Sequence, residues 1–470
     1  MTDARRPALP DGFTVRLSRH TRVVDDGAVL VGGSPIRISR LTPRARPHLR
    51  QGLLTVSDAA SRALADHLLE SGLADPVVSS SPDVDPSLAT VVVPVRDRPR
   101  QLDRLLASLD GSGHHVIVVD DASADPRAVA AVAARHGAEL VVLDENVGPA
   151  GARNAGLARV ATPFVVFVDS DVVVEANAIP LLLRHFADPR LAMIAPRVLG
   201  FEAPGANWIT RYEDARSSLD VGHEASIVRP RSRVTWLPAA CLAARVDALG
   251  AGFDPSLRVA EDVDLVWRLV EAGHRVRYEP GAVVRHDHRA TLRGWLGRKF
   301  TYGTGADLLA VRHPRDIAPV VLAPWAVGVL VALGAQRRWS LPVAIALLAV
   351  TVVRIERRAS AVRHPYRLAA RLTADGFVTA IAQGFALLLR HWWPLTAIGC
   401  LVSRRVRRAV VVAAVADTAW ELARTRPRLD PLRFGLARRL DDAAYGAGVW
   451  WSAIRGRSPR ALLPDLRAQR

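Results

Sequence analysis

Pro163-Phe-Val-Val-Phe-Val-Asp-Ser-Asp171 is the stretch on which the reading of this 470-residue chain turns. Five apolar residues follow Pro163, the pattern of a strand buried in a parallel sheet, and Asp169 and Asp171 stand at its C-terminal end. Open α/β sheets bind ligands beyond that end of their strands. Two carboxylates there can hold a divalent cation that already carries a diphosphate. Acidic pairs also end strands with no ligand at all, so the neighbouring segments decide.

Those neighbours repeat the pattern. Short apolar runs begin at Thr90, His115, Glu139 and Phe164, and the segments near 99–109, 126–136 and 149–160 between them can be helical. This alternation predicts an α/β domain over residues 89–315, with a parallel sheet of the nucleotide-binding kind. A polar, proline-bearing linker, 79–88, precedes it. Before the linker, Phe13-Thr-Val-Arg-Leu17 and Ala28-Val-Leu-Val31 flank Asp25-Asp26-Gly27, a hairpin signal. A helix rich in Ala and Leu then starts near Thr55 and stops at Gly72. Residues 1–78 thus read as a small α+β domain that resembles a winged-helix fold. More narrowly, it is similar to the peptide-binding domains that escort precursors of ribosomally made natural products. A plain structural cap on the next domain is the equal alternative.

Charge is distributed unevenly. Residues 1–315 hold 39 Arg and Lys against 37 Asp and Glu, whereas residues 316–470 hold 24 against 9. A basic tail suits nucleic acid. This one is also strongly apolar, with Trp325, Trp339, Trp392, Trp393, Trp450 and Trp451 near its charged steps, which suits an anionic membrane surface and excludes nucleic acid as the expected partner. Ile317–Gln336 is uncharged for 20 residues, long enough to span a bilayer. The uncharged runs from Trp339, Gly376 and Trp392 are shorter and fit interfacial or core helices. Residues 316–470 are therefore expected to form a helical, membrane-associated region. Cys241 and Cys400 are expected to be free thiols in a reducing compartment. No apolar run follows the opening Met-Thr-Asp-Ala-Arg-Arg, so no secretory signal is expected. Together these place the catalytic domain in the cytosol, at the cytoplasmic face of the cell membrane.

Five segments carry the chemistry. Val93-Pro-Val-Arg-Asp97 ends the first strand and Val118-Val-Asp120-Asp121 the second. Asn146-Val-Gly-Pro-Ala-Gly-Ala-Arg153-Asn154-Ala-Gly156 follows the third, Asp169-Ser-Asp171 closes the fourth, and Glu261-Asp262-Val-Asp264 comes about ninety residues later. In this order they closely resemble the inverting GT-A glycosyltransferases of family 2, over roughly residues 89–290. Transfer of a sugar from a nucleoside diphosphate needs a Lewis acid for the departing diphosphate and a base for the acceptor hydroxyl. The resemblance implies a Mg²⁺ or Mn²⁺ ligated by Asp171, with Asp169 near the metal or ribose. It implies Asp262 as the base, beside Glu261. Taken alone, three acids at a helix start would serve only the helix dipole.

The resemblance further implies that Asp120 accepts the imide N–H of uracil, with Asp97 close by in the nucleotide site. Many relatives carry an aromatic residue where Arg96 stands, which leaves the nucleobase open. Arg153 is implied to pair with the diphosphate, and Gly148, Gly151 and Gly156 to let the backbone approach a phosphate, although ordinary turn chemistry would explain the glycines. His286 falls where some GT-A enzymes supply a third metal ligand; a structural histidine is the alternative. Trp236–Cys241 and Gly252-Phe-Asp254 match the acceptor side of the family, and Tyr302-Gly-Thr-Gly305 is a candidate gate. Processive members carry Gln-x-x-Arg-Trp; Gln336-Arg-Arg-Trp339 is one residue short of it.

The complete layout is similar to the glycosyltransferases of the mycofactocin system of actinobacteria. That resemblance implies a UDP-glucose donor and a peptide-derived redox cofactor as acceptor, extended by a short β-1,4-linked glucose chain. Two alternatives stay open: a glycosyltransferase of cell-envelope polysaccharide or glycolipid synthesis, and a non-catalytic membrane scaffold that binds nucleotide or peptide. Spacing and composition by themselves reach only metal-dependent transfer from a nucleotide sugar.

Overall fold

A computed structural model describes residues 7–201, 206–359 and 362–466; the opening Met1–Arg6, read above for a secretory signal, lies outside them. Two compact units result, Met1–Pro204 with Ser217–His288, and Gly205–Arg216 with Arg289–Arg470. The division expected near residue 315 therefore falls at His288, and no division follows the 79–88 linker.

The first unit opens with β1 (Thr14–Leu17), β2 (Arg22–Val24), β3 (Val29–Gly32), β4 (Arg37–Arg40), β5 (Leu53–Thr55), α1 (Ala59–Ser71) and β6 (Ala74–Pro76). The strands form two antiparallel sheets, β5-β1-β6 and β2-β3-β4. Asp25-Asp26-Gly27 does turn a hairpin, with positive φ at all three residues, but it joins β2 to β3 and leaves Thr14–Leu17 to another sheet. Among the described residues before the linker α1 is the only α-helix, where several short helices beside the hairpin are expected. Pro43 and Pro47 explain part of this, since each lacks the N–H a second helix would need. Asp58 caps α1 by accepting the Ser61 N–H at 2.7 Å, and Gly72 ends it at φ 68°.

Buried charge fixes this opening part to the rest of its unit. Arg275 accepts no solvent, at 1 % exposure, and pairs with Asp66 of α1 at 2.5 Å and with Asp188 at 2.9 Å. Arg190 reaches Asp66 and Glu70, and the buried Arg277 pairs with Asp75 of β6.

The sheet that carries the site begins with β7 (Ala89–Val95), α2 (Pro99–Leu109), β8 (His115–Asp120), α3 (Pro126–Arg135), β9 (Glu139–Val142), α4 (Gly148–Leu157) and β10 (Phe164–Val168). Their order β10-β7-β8-β9 is parallel, as the sequence predicts. Next come β11 (Val172–Val174), α5 (Ala178–Arg184), β12 (Leu191–Gly200), α6 (Trp208–Arg216, in the second unit), β13 (Ser226–Ile227), β14 (Cys241–Arg245), α7 (Glu261–Glu271) and β15 (Arg275–His286). They extend the sheet as β11-β15-β12-β14 beside β10, and β14 runs antiparallel to both its neighbours. The sheet is thus mixed. Apolar residues such as Leu242, Ala243 and Ala244 show that β14 is buried on both faces, but burial does not encode a strand's direction. Val91, Val93, Val166, Val168, Leu105 and Leu182 pack the core between this sheet and its helices, each worth ~1.5–3 kcal/mol on burial.

The second unit continues with α8 (Leu292–Thr304), α9 (Ala306–Arg312), α10 (Pro324–Ala335), α11 (Ser340–Arg358), α12 (Pro365–Ala386), α13 (Trp393–Val402), α14 (Arg404–Thr425) and α15 (Pro431–Arg455). Helices α8 and α15 cross at backbone contact: a Cβ on Gly303 would stand 2.2 Å from the Tyr445 carbonyl oxygen. Tyr302–Gly305 is therefore a packing element of α8 rather than a gate. Lys299, the chain's one lysine, is buried between Glu213 at 2.9 Å and Asp441 at 3.4 Å.

The first span candidate, Ile317–Gln336, is helical only from Pro324 to Ala335, because proline starts that helix and 12 residues reach only ~18 Å. Among the described residues, the one helical stretch long and apolar enough to cross a bilayer, by length and composition, is Pro365–His391, which includes the run from Gly376 read above as shorter.

Candidate active site

All the candidate site residues lie in the first unit, at the C-terminal ends of β7, β8 and β10 and on the elements that return to them. Asp97 follows β7 in a left-handed conformation, φ 57°, and accepts the Ala124 N–H at 2.7 Å. Its own N–H donates to Ser123 Oγ at 2.9 Å, and the Ser123 N–H donates to Asp120 Oδ1 at 3.0 Å. The other carboxylate oxygen of Asp120, Oδ2, is buried and has no hydrogen-bond partner among the described residues. A buried acceptor in that state favours a ligand N–H. The sequence reading gave Asp121 no role, yet its two oxygens accept the N–H groups of Val147 and Gly148 at 2.8 and 3.0 Å and so set the turn into α4. Gly148 holds φ 80° there, and a Cβ on it would meet Arg258 Nη1 at 2.8 Å. Gly156 has another use: its face packs on Val92 of β7, with no room for a side chain.

Arg153 has partners other than the diphosphate assigned to it. The guanidinium is buried, donating to Asp169 Oδ1 at 2.6 Å and to Glu261 Oε1 at 2.9 Å, and it stacks over Phe253 at 5.2 Å. Burial works against its charge, but the two carboxylates outweigh burial and hold its pKa above the ordinary arginine value. Phe253 is itself buried, and Asn154 clamps its backbone from both sides at 2.9 and 2.7 Å. Phe253 of the Gly252-Phe-Asp254 segment thus buttresses Arg153.

The three acids of α7 separate into three roles. Asp264 is buried and pairs with Arg268 at 2.8 Å, a structural contact. Glu261 meets Arg153. Asp262 accepts the N–H groups of Val263 at 2.8 Å and Ala239 at 3.1 Å, and among the described residues no cation pairs with it. Protein surrounds it on most sides while one face reaches solvent. Withdrawal from water, with the Glu261 carboxylate second, pushes its pKa up to about 7. Ala260, just before α7, stands at φ 66°, a left-handed conformation that is costly for a residue with a Cβ and that aims Glu261 and Asp262.

Asp171 is buried, and the Arg98 guanidinium contacts it directly. Strand β11 pairs with β15 in the register Val172↔His286, which sets His286 Nε2 3.5 Å from Asp171 Oδ1. Asp169 instead turns toward Arg153. No group of three acidic, histidine or cysteine residues is gathered for a metal among the described residues. A carboxylate with an imidazole beside it, buried at a strand end, nonetheless fits a Mg²⁺ or Mn²⁺ whose remaining ligands come from a donor diphosphate and water.

The half-buried Asp169 and the buried Asp171 after β10, an orphaned acceptor on β8 and a raised carboxylic acid on α7 are the groups available for chemistry at this end of the sheet. The model of the family described as "Glycosyl transferase family 2" matches residues 90–241. Along its length the chain is 42% identical to the pre-mycofactocin glycosyltransferase of Mycobacterium tuberculosis, over 98% of this chain and 99% of that one. It is 25% identical to the O-antigen chain rhamnosyltransferase of Salmonella typhimurium, over 40% of this chain and 62% of the relative. A solved mannosyltransferase of Pyrobaculum calidifontis, in complex with GDP-Man and Mn²⁺, aligns at 19% identity and TM-score 0.36 over 65% of this chain and 91% of that one. The chain belongs to glycosyl transferase family 2 and is a glycosyltransferase with a GT-A-like α/β fold. Within that family, its full-length likeness is to the pre-mycofactocin glycosyltransferases.

Proposed function

We propose that this glycosyltransferase is metal-dependent and inverting, and that it moves glucose from UDP-glucose onto the peptide-derived precursor of mycofactocin, extending it as a short β-1,4-glucan. It does so at the cytoplasmic face of the membrane. The observation that carries the chemistry is the chain of contacts from Asp169 through Arg153 to Glu261, next to Asp262. It ties the donor end of β10 to the acid of α7 whose pKa sits near neutrality. The identity along almost the whole of a relative named for this acceptor supports the acceptor.

In this reading Asp262 takes the proton of the acceptor hydroxyl, and a pKa of about 7 lets it do so in neutral solution. Arg153 holds Glu261 and Asp169 in place on either side of it, next to Asp262. Asp120 Oδ2 accepts the uracil imide N–H, and Asp97 fixes the loop beside it through Ala124 and Ser123. Asp171, with His286, would hold the cation that supplies Lewis-acid stabilisation of the departing diphosphate. Attack opposite the leaving group gives β products from an α-linked donor.

The test is mass spectrometry of the mycofactocin precursor after incubation with the full-length protein, UDP-glucose and Mn²⁺, with Asp171→Asn in parallel. A ladder of added hexoses that the variant lacks is expected. UDP release with no added mass would leave the transferase and overturn the acceptor.

A second reading, transfer to a lipid-borne envelope acceptor, is favoured by the exposed apolar side chains of the helical unit, such as Leu401 and Ile345. Deleting residues 1–78 cannot separate the two, because it strips Arg275 and Arg277 of Asp66 and Asp75. Offering isolated envelope lipids as acceptors does.

A further inference from the structure

Two turns of the helical unit meet at one point. The first, Gln336-Arg-Arg-Trp339, joins α10 to α11; the second, at Ser403, joins the end of α13 to the start of α14. Gln336 Nε2 donates to the Arg405 carbonyl oxygen at 2.8 Å, which holds them together. Arg337, Arg338, Arg404, Arg405, Arg407 and Arg408 are all exposed around this junction. Between them stand Leu401, 82 % exposed, Val402, 84 % exposed, and Trp339, 52 % exposed.

Arg407 donates to the Cys400 carbonyl oxygen at 2.6 Å and so helps end α13; folding does not explain the other five arginines. The N-terminus of a helix carries positive partial charge, so arginines there are disfavoured, yet α14 opens with four in its first five residues and no acid in its first turn. The sequence holds no Asp or Glu from Ile317 to Ile355 or from Gly376 to Ala416, so neither turn has a neighbouring carboxylate along the chain. Two of the most exposed aliphatic side chains in the molecule sit inside the cationic cluster.

We propose that this double-turn tip is the surface by which the chain docks on an anionic phospholipid bilayer. The arginines meet headgroup phosphates, while Trp339, Leu401 and Val402 enter the interface. Charge selects anionic over neutral lipid, and the apolar side chains distinguish a bilayer from a polyanion without acyl chains. The bilayer source of the phosphates is favoured over nucleic acid because bases and sugars offer nothing to Leu401 and Val402 in such numbers. Helix α13 behind the tip has 10 residues, or ~15 Å, so it reaches into one leaflet and does not cross. The proposal rests on the membrane-associated part of the reading above and is independent of donor and acceptor.

The test is co-sedimentation of the full-length protein with phosphatidylcholine vesicles and with vesicles containing phosphatidylglycerol, in low and high salt. Three proteins are compared: wild type, Arg337→Gln/Arg338→Gln/Arg404→Gln/Arg405→Gln, and Leu401→Ser/Val402→Ser. Near-UV circular dichroism and UDP release from UDP-glucose check that each is folded. Wild type should prefer anionic vesicles, and high salt should weaken that binding. The arginine variant, which removes four charges, should bind them ~10²–10³-fold more weakly, the scale set by ~1 kcal/mol for each basic residue near the surface. The Leu401/Val402 variant should lose several-fold. Wild-type binding that neither variant changes would overturn the tip while leaving membrane association intact. Wild type that binds neither vesicle would overturn both. If the arginine variant loses a DNA duplex but keeps the vesicles, the surface belongs to nucleic acid and the proposal fails.

Discussion

His286 Nε2 lies 3.5 Å from Oδ1 of Asp171, brought there by the pairing of β11 with the last residues of β15. Arg98 contacts the same carboxylate, so two side chains from two distant segments converge on one buried acid.

The proposed function makes donor binding depend on Asp171. Asp171→Asn is expected to abolish the Mn²⁺-dependent part of UDP binding, read by titration calorimetry with and without the metal. His286→Ala should weaken the same component by a smaller factor. Unchanged UDP affinity in Asp171→Asn would remove the metal from this position.

Asp262 should behave differently. Asp262→Asn keeps one of the two backbone N–H contacts through its amide oxygen and leaves Asp120, Asp97 and Asp171 untouched, so UDP affinity should stay close to wild type. Turnover should fall ~10²-fold or more, the usual contribution of a general base. Near-normal kcat would assign the base elsewhere.

The raised pKa of Asp262 fixes the sign of the pH dependence. A base works deprotonated, so kcat/KM should rise through about pH 7 and level off above it, with the inflection absent in Asp262→Asn. Stability runs the other way. The native state holds this proton at pH values where the unfolded chain, with a carboxyl near 3.8, has lost it. Asp262 therefore removes stability as pH rises from about 4 to about 7. Asp262→Asn should melt higher than wild type at pH 8, measured by calorimetry.

Arg153 lowers the Asp262 pKa, against burial and Glu261, which raise it. Arg153→Gln should shift the inflection of kcat/KM to higher pH as well as slow transfer. A loss of rate with the inflection unmoved would restrict Arg153 to packing.

Arg275 tests how the first 77 residues are held. Its removal leaves Asp188, 1 % exposed on its side chain, without its partner inside the protein. Arg275→Met should cost about 3–5 kcal/mol in chemical denaturation, typical of a broken buried pair. A loss below ~1 kcal/mol would mean that the opening sheets are only loosely attached.

The sequence by itself determined the four parallel strands β7 to β10 and the three helices between them. Each strand is a short apolar run, and each helix keeps an apolar face such as Leu102, Leu105 and Leu106, patterns written locally by burial. It also marked Asp97, Asp120, Asp169, Asp171, Asp262 and His286, because strand ends and a helix start can be read from neighbours in the chain. Their partners could not be read. Arg153 looked like a phosphate ligand until the fold buried it between Asp169 and Glu261, and Asp121 gained its role only from the N–H groups of Val147 and Gly148. The same limit hid the direction of β14, the docking of α1 on Arg275 and the meeting of Gln336 with Arg405. Periodicity reports which residues leave water; which of them then meet is decided by long-range pairing, and only the tertiary structure fixes that.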